Sequence, residues 1–145
     1  MQSDDGRIRA QARLIVGEER DPARAARLLA DWVRAHLARA SAPGFPGAAR
    51  VLETRRGDCN EHTLLYVALA RAVGLPARAV AGLLEIGGRF YYHAWPEVYL
   101  GDWVGVDPML GQFPADAAHL RFVVGGLAHQ AELVRVLGGL HLEVL

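Results

Sequence analysis

The feature that most limits how this chain can fold is a run of three strand-like segments joined by two very short turns. Arg78 to Ile86 is largely apolar, Arg89 to Leu100 alternates, and Trp103 to Asp107 follows, with Gly87-Gly88 and Gly101-Asp102 between them. A two-residue turn can only fold a strand back beside its predecessor, so the pairing must be antiparallel. Helices precede this run. Asp21 to Arg39 has an N-cap in Asp21 and Pro22 at the first helical position. Its Ala25, Leu28, Leu29, Trp32, Val33 and Leu37 form an apolar stripe at helical spacing, with Arg24, Arg27, Arg34 and Arg39 outside it. After a breaker-rich loop, Ser41 to Gly47, a second helix runs from about Asp58 to Val73 and stops at Gly74 and Pro76. A strand near His119 to Val124, a short helix near Gln130 to Leu137 and a last strand, Leu140 to Leu145, complete the expected order. Helices followed by consecutive hairpins predict an α+β domain with its helices on one side of an antiparallel sheet.

At 145 residues, 52% of them hydrophobic and 22% charged, the chain suits a single globular domain with a sizeable core. Sixteen basic residues, all Arg, cancel sixteen acidic ones, and neither sign is concentrated anywhere. A nucleic-acid or anionic-membrane partner needs a basic patch, so neither is expected. No apolar run approaches the roughly 20 residues of a membrane span. The start, Met1-Gln2-Ser3-Asp4-Asp5, is polar and acidic and does not read as a secretory signal, which makes the cytoplasm the default expectation.

The single cysteine, Cys59, rules out a disulfide within the chain and any multi-cysteine zinc site. Most lone cysteines are small buried hydrophobes. This one follows Asp58 in Asp58-Cys59-Asn60-Glu61, a capping-box pattern that places it in the first turn of a helix. There the macrodipole and the unpaired N–H groups favour a thiolate, so its pKa should fall, and the same donors face a developing oxyanion. Gly57 just before the cap should let a backbone or a substrate come close. A thiol nucleophile needs a base, and the base an orienter. His93 lies in the second strand, where alternation puts it on one face with Tyr91, Trp95 and Glu97. Asp107 comes fourteen residues later, and the hairpin brings it across from His93 or within a few residues of it.

His36, His119, His129 and His141 lie in other elements and carry no evident role. His62 follows Cys59 by three residues and is expected to be a hydrogen-bonder at the helix start. The rival reading, in which His62, His93 and Asp107 join Cys59 around one metal, is a site built on a single thiolate, the less common kind. No metal and no cofactor is therefore expected. Tyr91, Trp95 and Trp103 are candidate substrate contacts, although aromatic residues more often fill cores, and Glu61 is a cap first and a substrate contact second.

Four motifs in this order resemble the bacterial transglutaminase-like domains of the papain-like superfamily. They are Gly57-Asp58-Cys59-Asn60-Glu61-His62, the stretch from Ala70 to Arg78, His93-Ala94-Trp95-Pro96-Glu97-Val98, and Trp103-Val104-Gly105-Val106-Asp107-Pro108. The likeness covers roughly Asp21 to Leu120, leaving 121–145 as a C-terminal extension of the same domain. It implies a nucleophile helix packed on an antiparallel sheet, and acyl transfer through a thioester. Cys59 would attack an amide carbonyl of a peptide or protein, His93 would shuttle the proton and Asp107 would fix its tautomer. Water as acceptor makes a peptidase or amidase, and an amine makes a transglutaminase. One departure stands out. No Gln lies between Gln11 and Cys59, and Trp32 belongs to a helix stripe, so no upstream side chain offers itself as second oxyanion donor. That leaves a catalytically weak or inactive member, holding a peptide or cell-wall fragment in an aromatic cleft, as the alternative.

Overall fold

The computed structural model describes residues 3–41, 44, 46–125, 133 and 142. Four helices precede the sheet: α1 (Gly6–Val16), α2 (Pro22–His36), α3 (Ala48–Thr54) and α4 (Cys59–Ala72), with a short parallel pair, β1 (Ala38–Arg39) and β2 (Arg56–Gly57), between them. The sheet follows as β3 (Ala77–Ile86), β4 (Arg89–Tyr99), β5 (Trp103–Gly105) and β6 (His119–Val124), in the order β5-β4-β3-β6. All three pairings are antiparallel, as the short turns require. The architecture is the α+β one expected, with helices stacked on one side.

Helix α4 is the centre of the fold. Leu65, Tyr66, Val67, Leu69 and Ala70 are fully buried, and they meet Ile8 and Ala12 of α1, Ala26, Leu29 and Val33 of α2, Val51 of α3 and Val98 of β4 in one cluster. A helix apolar on nearly every side is one surrounded by other elements. Tyr66 buries its ring there and donates its hydroxyl to the carbonyl of Ala26, 3.2 Å away, so no polar atom of that side chain is left dry.

Two helices were not legible beforehand. The first, α1, interleaves Arg7, Arg9, Gln11 and Arg13 with just two buried residues, Ile8 and Ala12, and α3 has only seven residues and a Gly47 cap that makes no side-chain bond. Both hold because their few buried residues land on α4 rather than because of local propensity. The strand near 119–124 is present, and pairs with β3 at the edge opposite β5. Its ladder is offset between Ala81 and Gly82, where a Cβ on Gly82 would lie 1.9 Å from the carbonyl oxygen of Leu120. Only glycine allows so close a crossing. The expected helix near 130–137, apart from Leu133, and the terminal strand lie outside the described residues.

Candidate active site

Cys59 sits where its neighbours in sequence put it, in the first turn of α4. The capping box is complete: the Asp58 carboxylate accepts from the amides of Asn60, at 2.8 Å, and of Glu61, while Glu61 Oε2 accepts from the amide of Asp58 at 2.8 Å. Gly57 makes room for this box rather than for a ligand, because a Cβ there would meet Glu61 Cβ at 2.2 Å. His62 lies in the same turn, its Nδ1 2.7 Å from the carbonyl oxygen of Asp58. Burial lowers the pKa of His62, so its ring favours the neutral form and Nδ1–H donates.

The electrostatics of the thiol differ from the expectation. Burial, followed by the charges of Asp58, Asp107 and Glu61, pushes Cys59 up to about 11, against the amide of Ala94, which points at the sulfur. The helix start does favour an anion. Three carboxylates around a sulfur that is only 9% exposed outweigh that preference, and the resting thiol is protonated at neutral pH.

The sheet supplies the other half. Gly105 pairs with Glu97, and the amide of Val106 donates to the carbonyl of Pro96 at 2.9 Å, so the chain leaving β5 runs on beside β4 toward His93. Asp107 is then anchored by reciprocal backbone bonds with Gln112, and its Oδ1 accepts from the amide of Leu110 at 2.9 Å. Its Oδ2 lies 2.7 Å from Nε2 of His93. The loop beyond it is fastened by α2 and β1. Arg34, Arg39 and Arg27 donate to the carbonyls of Leu110, Met109 and Phe113 at 3.2, 2.7 and 3.4 Å. These arginines read as a solvated face in the sequence, and they serve here as ties to backbone seventy or more residues away.

A residue without an assigned role completes the cluster. His119, at the start of β6, places its Nε2 2.8 Å from the same Asp107 Oδ2, and its Nδ1 2.9 Å from Oδ1 of Asp116. Burial would raise Asp107, but hydrogen bonds from His119 and His93 prevail and hold its carboxyl well below the usual range. No local signal singles out His119. An arrangement of strands that puts β6 beside β3 decides its position.

The donor atoms of His93, Asp107 and His119 all lie within 4.8 Å of one another, so among the described residues this trio, rather than one with His62, is the set that could ligate a metal. Its members already satisfy one another through hydrogen bonds. Of the expected substrate contacts, Tyr91 is half-exposed two residues before His93, whereas Trp95 is buried with its ring 5.9 Å from His93 and 5.0 Å from His119. Glu61 is buried in the capping box. Trp103 pairs with Tyr99 at the far end of β4, about 20 Å along the strand from His93. There Arg78 covers its ring at 3.9 Å.

A family model for the transglutaminase-like superfamily matches residues 9–108. Among solved structures, a candidate cysteine protease from Cytophaga hutchinsonii superposes with a TM-score of 0.77 at 23% identity, covering 91% of this chain and 45% of that one. A structure described as a TGase gives 0.56 at 20% identity, covering 84% and 35%, and a candidate protease from Parabacteroides distasonis gives 0.57 at 12% identity, covering 69% and 22%. The chain thus spans less than half the length of each of these structures. No curated protein is a detectable relative. Among the described residues no helix is long and apolar enough to cross a membrane.

Proposed function

The chain belongs to the transglutaminase-like superfamily, and from that premise we propose that it performs cysteine-dependent acyl transfer on amides, chiefly peptide or side-chain amide hydrolysis. The observation that carries the reading is the buried 2.7 Å bond between His93 Nε2 and Asp107 Oδ2, with the amide of the next residue, Ala94, directed at the Cys59 sulfur at a capped helix start. Asp107 occupies Nε2, so Nδ1 is the ring nitrogen that exchanges a proton with Cys59. As Sγ attacks the carbonyl carbon, its proton passes to His93. The C–N bond then breaks, the imidazolium protonates the leaving amine or ammonia, and a thioester remains. Water, deprotonated by His93, releases the acid and restores the thiol. An amine in place of water makes the reaction a transglutamination.

The high thiol pKa shapes this sequence. Proton transfer has to accompany attack, because no standing thiolate is available at neutral pH. The amides of Asn60 and Glu61 are taken by the Asp58 carboxylate, so within the first turn the backbone oxyanion donor is the amide of Cys59 itself. The lack of an upstream side chain suited to be a second oxyanion donor and the protonated thiol favour one rival, a module that binds a peptide near Tyr91 without cleaving it.

Acylation by p-nitrophenyl acetate separates the two. Wild-type protein is expected to release nitrophenolate in a burst and gain one acetyl group on Cys59 by mass spectrometry, with Cys59→Ala slower by about 10⁴-fold or more. Folded wild-type protein that stays unacetylated sinks the enzymatic reading.

A further inference from the structure

The Asp107 carboxylate serves two imidazoles through a single oxygen, and only one of them has a place in the mechanism above. We infer that His119 is a positioning residue of the site: held by Asp116, it donates to the Asp107 oxygen that receives His93, and so fixes the carboxylate and shares its charge. This inference rests on the proposed role of His93 as base.

The hydrogen-bond partners determine the state of the ring. Among the described residues, Nε2 of His119 faces Asp107 Oδ2 alone, at 2.8 Å. Nδ1 faces Asp116 Oδ1 at 2.9 Å and the Asp116 carbonyl at 3.2 Å. All three are acceptors, so both ring nitrogens must carry protons, and a ring with two N–H groups is an imidazolium. Burial opposes the charge on His119, but the bonds to Asp107 and Asp116 outweigh it and raise its pKa. The side chain itself is 3% exposed, whereas that of Asp116 is 54% exposed, so the chain Asp116–His119–Asp107–His93 runs from the surface into the site.

A cation on His119 makes Asp107 half of a neutral pair. His93 then meets a fixed dipole in place of a bare anion, which eases loss of the first proton from the Cys59–His93 couple. The other charges nearby do not cancel this. From α4 and its cap, Asp58, Glu61 and His62 face the sulfur side of the site. From β4 and β6, Glu97 and Arg121 share the cleft of about 360 Å³ that His119 and Asp116 line, but Glu97 is already paired with Arg78 and Arg121 at 2.7 and 2.8 Å.

His119→Gln keeps an N–H donor toward Asp107 and removes the charge. Removing a cation makes every proton of the couple harder to lose, so the acidic limb of the p-nitrophenyl acetate rate profile should move up by about one pH unit. A merely structural His119 predicts otherwise: a carboxylate that drifts away lowers the rate and moves that limb down or leaves it in place. His119→Arg, which restores charge and donors, should bring the limb back toward its wild-type position. Wild-type acetylation with an unmoved or lowered limb in His119→Gln overturns the inference alone, and no wild-type acetylation overturns the functional reading and this inference with it. If the variants do not fold, ¹⁵N NMR of histidine-labelled wild-type protein decides. Both His119 ring nitrogens should be protonated at neutral pH, and a single unprotonated nitrogen refutes the inference.

Discussion

At the start of α4, burial and three carboxylates push the Cys59 thiol up to about 11, while across the site two imidazoles hold the Asp107 carboxyl far below its ordinary range. Both groups are buried to a similar degree, 9% and 1% exposed, so burial alone does not account for their opposite behaviour. The partners do. The sulfur has the Ala94 amide in its favour and anions against it, whereas each oxygen of Asp107 accepts at least one N–H. A buried acid ionises when hydrogen bonds to its charged form exceed the cost of leaving water, and stays protonated when they do not. The site therefore keeps its permanent negative charge on the sheet and its proton on the helix, poised for transfer rather than already separated.

Substitutions on the sheet side should have the largest effect. Asp107→Asn preserves shape but removes the anion that orients His93 and steadies its imidazolium, and acylation of Cys59 should slow by about 10³-fold or more. A loss of less than tenfold, with the fold intact by circular dichroism, would break the contrast between the two halves. The same residue predicts an intermediate effect on acid stability. Its folded pKa lies below the unfolded value of 3.8, so its contribution is complete above that value and is lost as pH falls through the folded one. The Tm of wild-type protein should therefore drop on acidification below about pH 4, and that of Asp107→Asn should drop less. Parallel curves would remove Asp107 as the cause.

The helix side should respond least. Glu61→Gln keeps the acceptor that a capping box needs at its third position and removes one of the three charges acting on the sulfur. Alkylation of Cys59 by iodoacetamide should be slower than that of glutathione at neutral pH in wild type, and should rise by about twofold to fivefold in the variant. An unchanged rate would assign the high pKa to burial alone.

Legibility followed the range of the interactions. The capping box, the Pro22 start of α2, the stop at Gly74 and the turns at Gly87-Gly88 and Gly101-Asp102 each lie within a few residues of the groups they control, and the structure has them. Of the site, Cys59 in its first helical turn and Asp107 beside His93 could be anticipated, because a hairpin register converts sequence separation into distance. Other features depend on contacts between remote segments. The two unanticipated helices needed α4 as a surface to bury against. His119 became a partner of Asp107 only when β6 crossed onto β3 at Gly82, and the arginines of α2 and β1 found the loop after Asp107 only once sheet and helices had docked.

The chain alone thus determined where α2 and α4 begin, which strands must be antiparallel neighbours, and which thiol, imidazole and carboxylate could meet. The tertiary structure alone decided how those groups share their protons. Local geometry follows from backbone sterics and nearby hydrogen bonds, but a pKa sums burial with every charge within reach, and the burial of Cys59, the Asp107 charge acting on it and both imidazoles on Asp107 come from other parts of the chain.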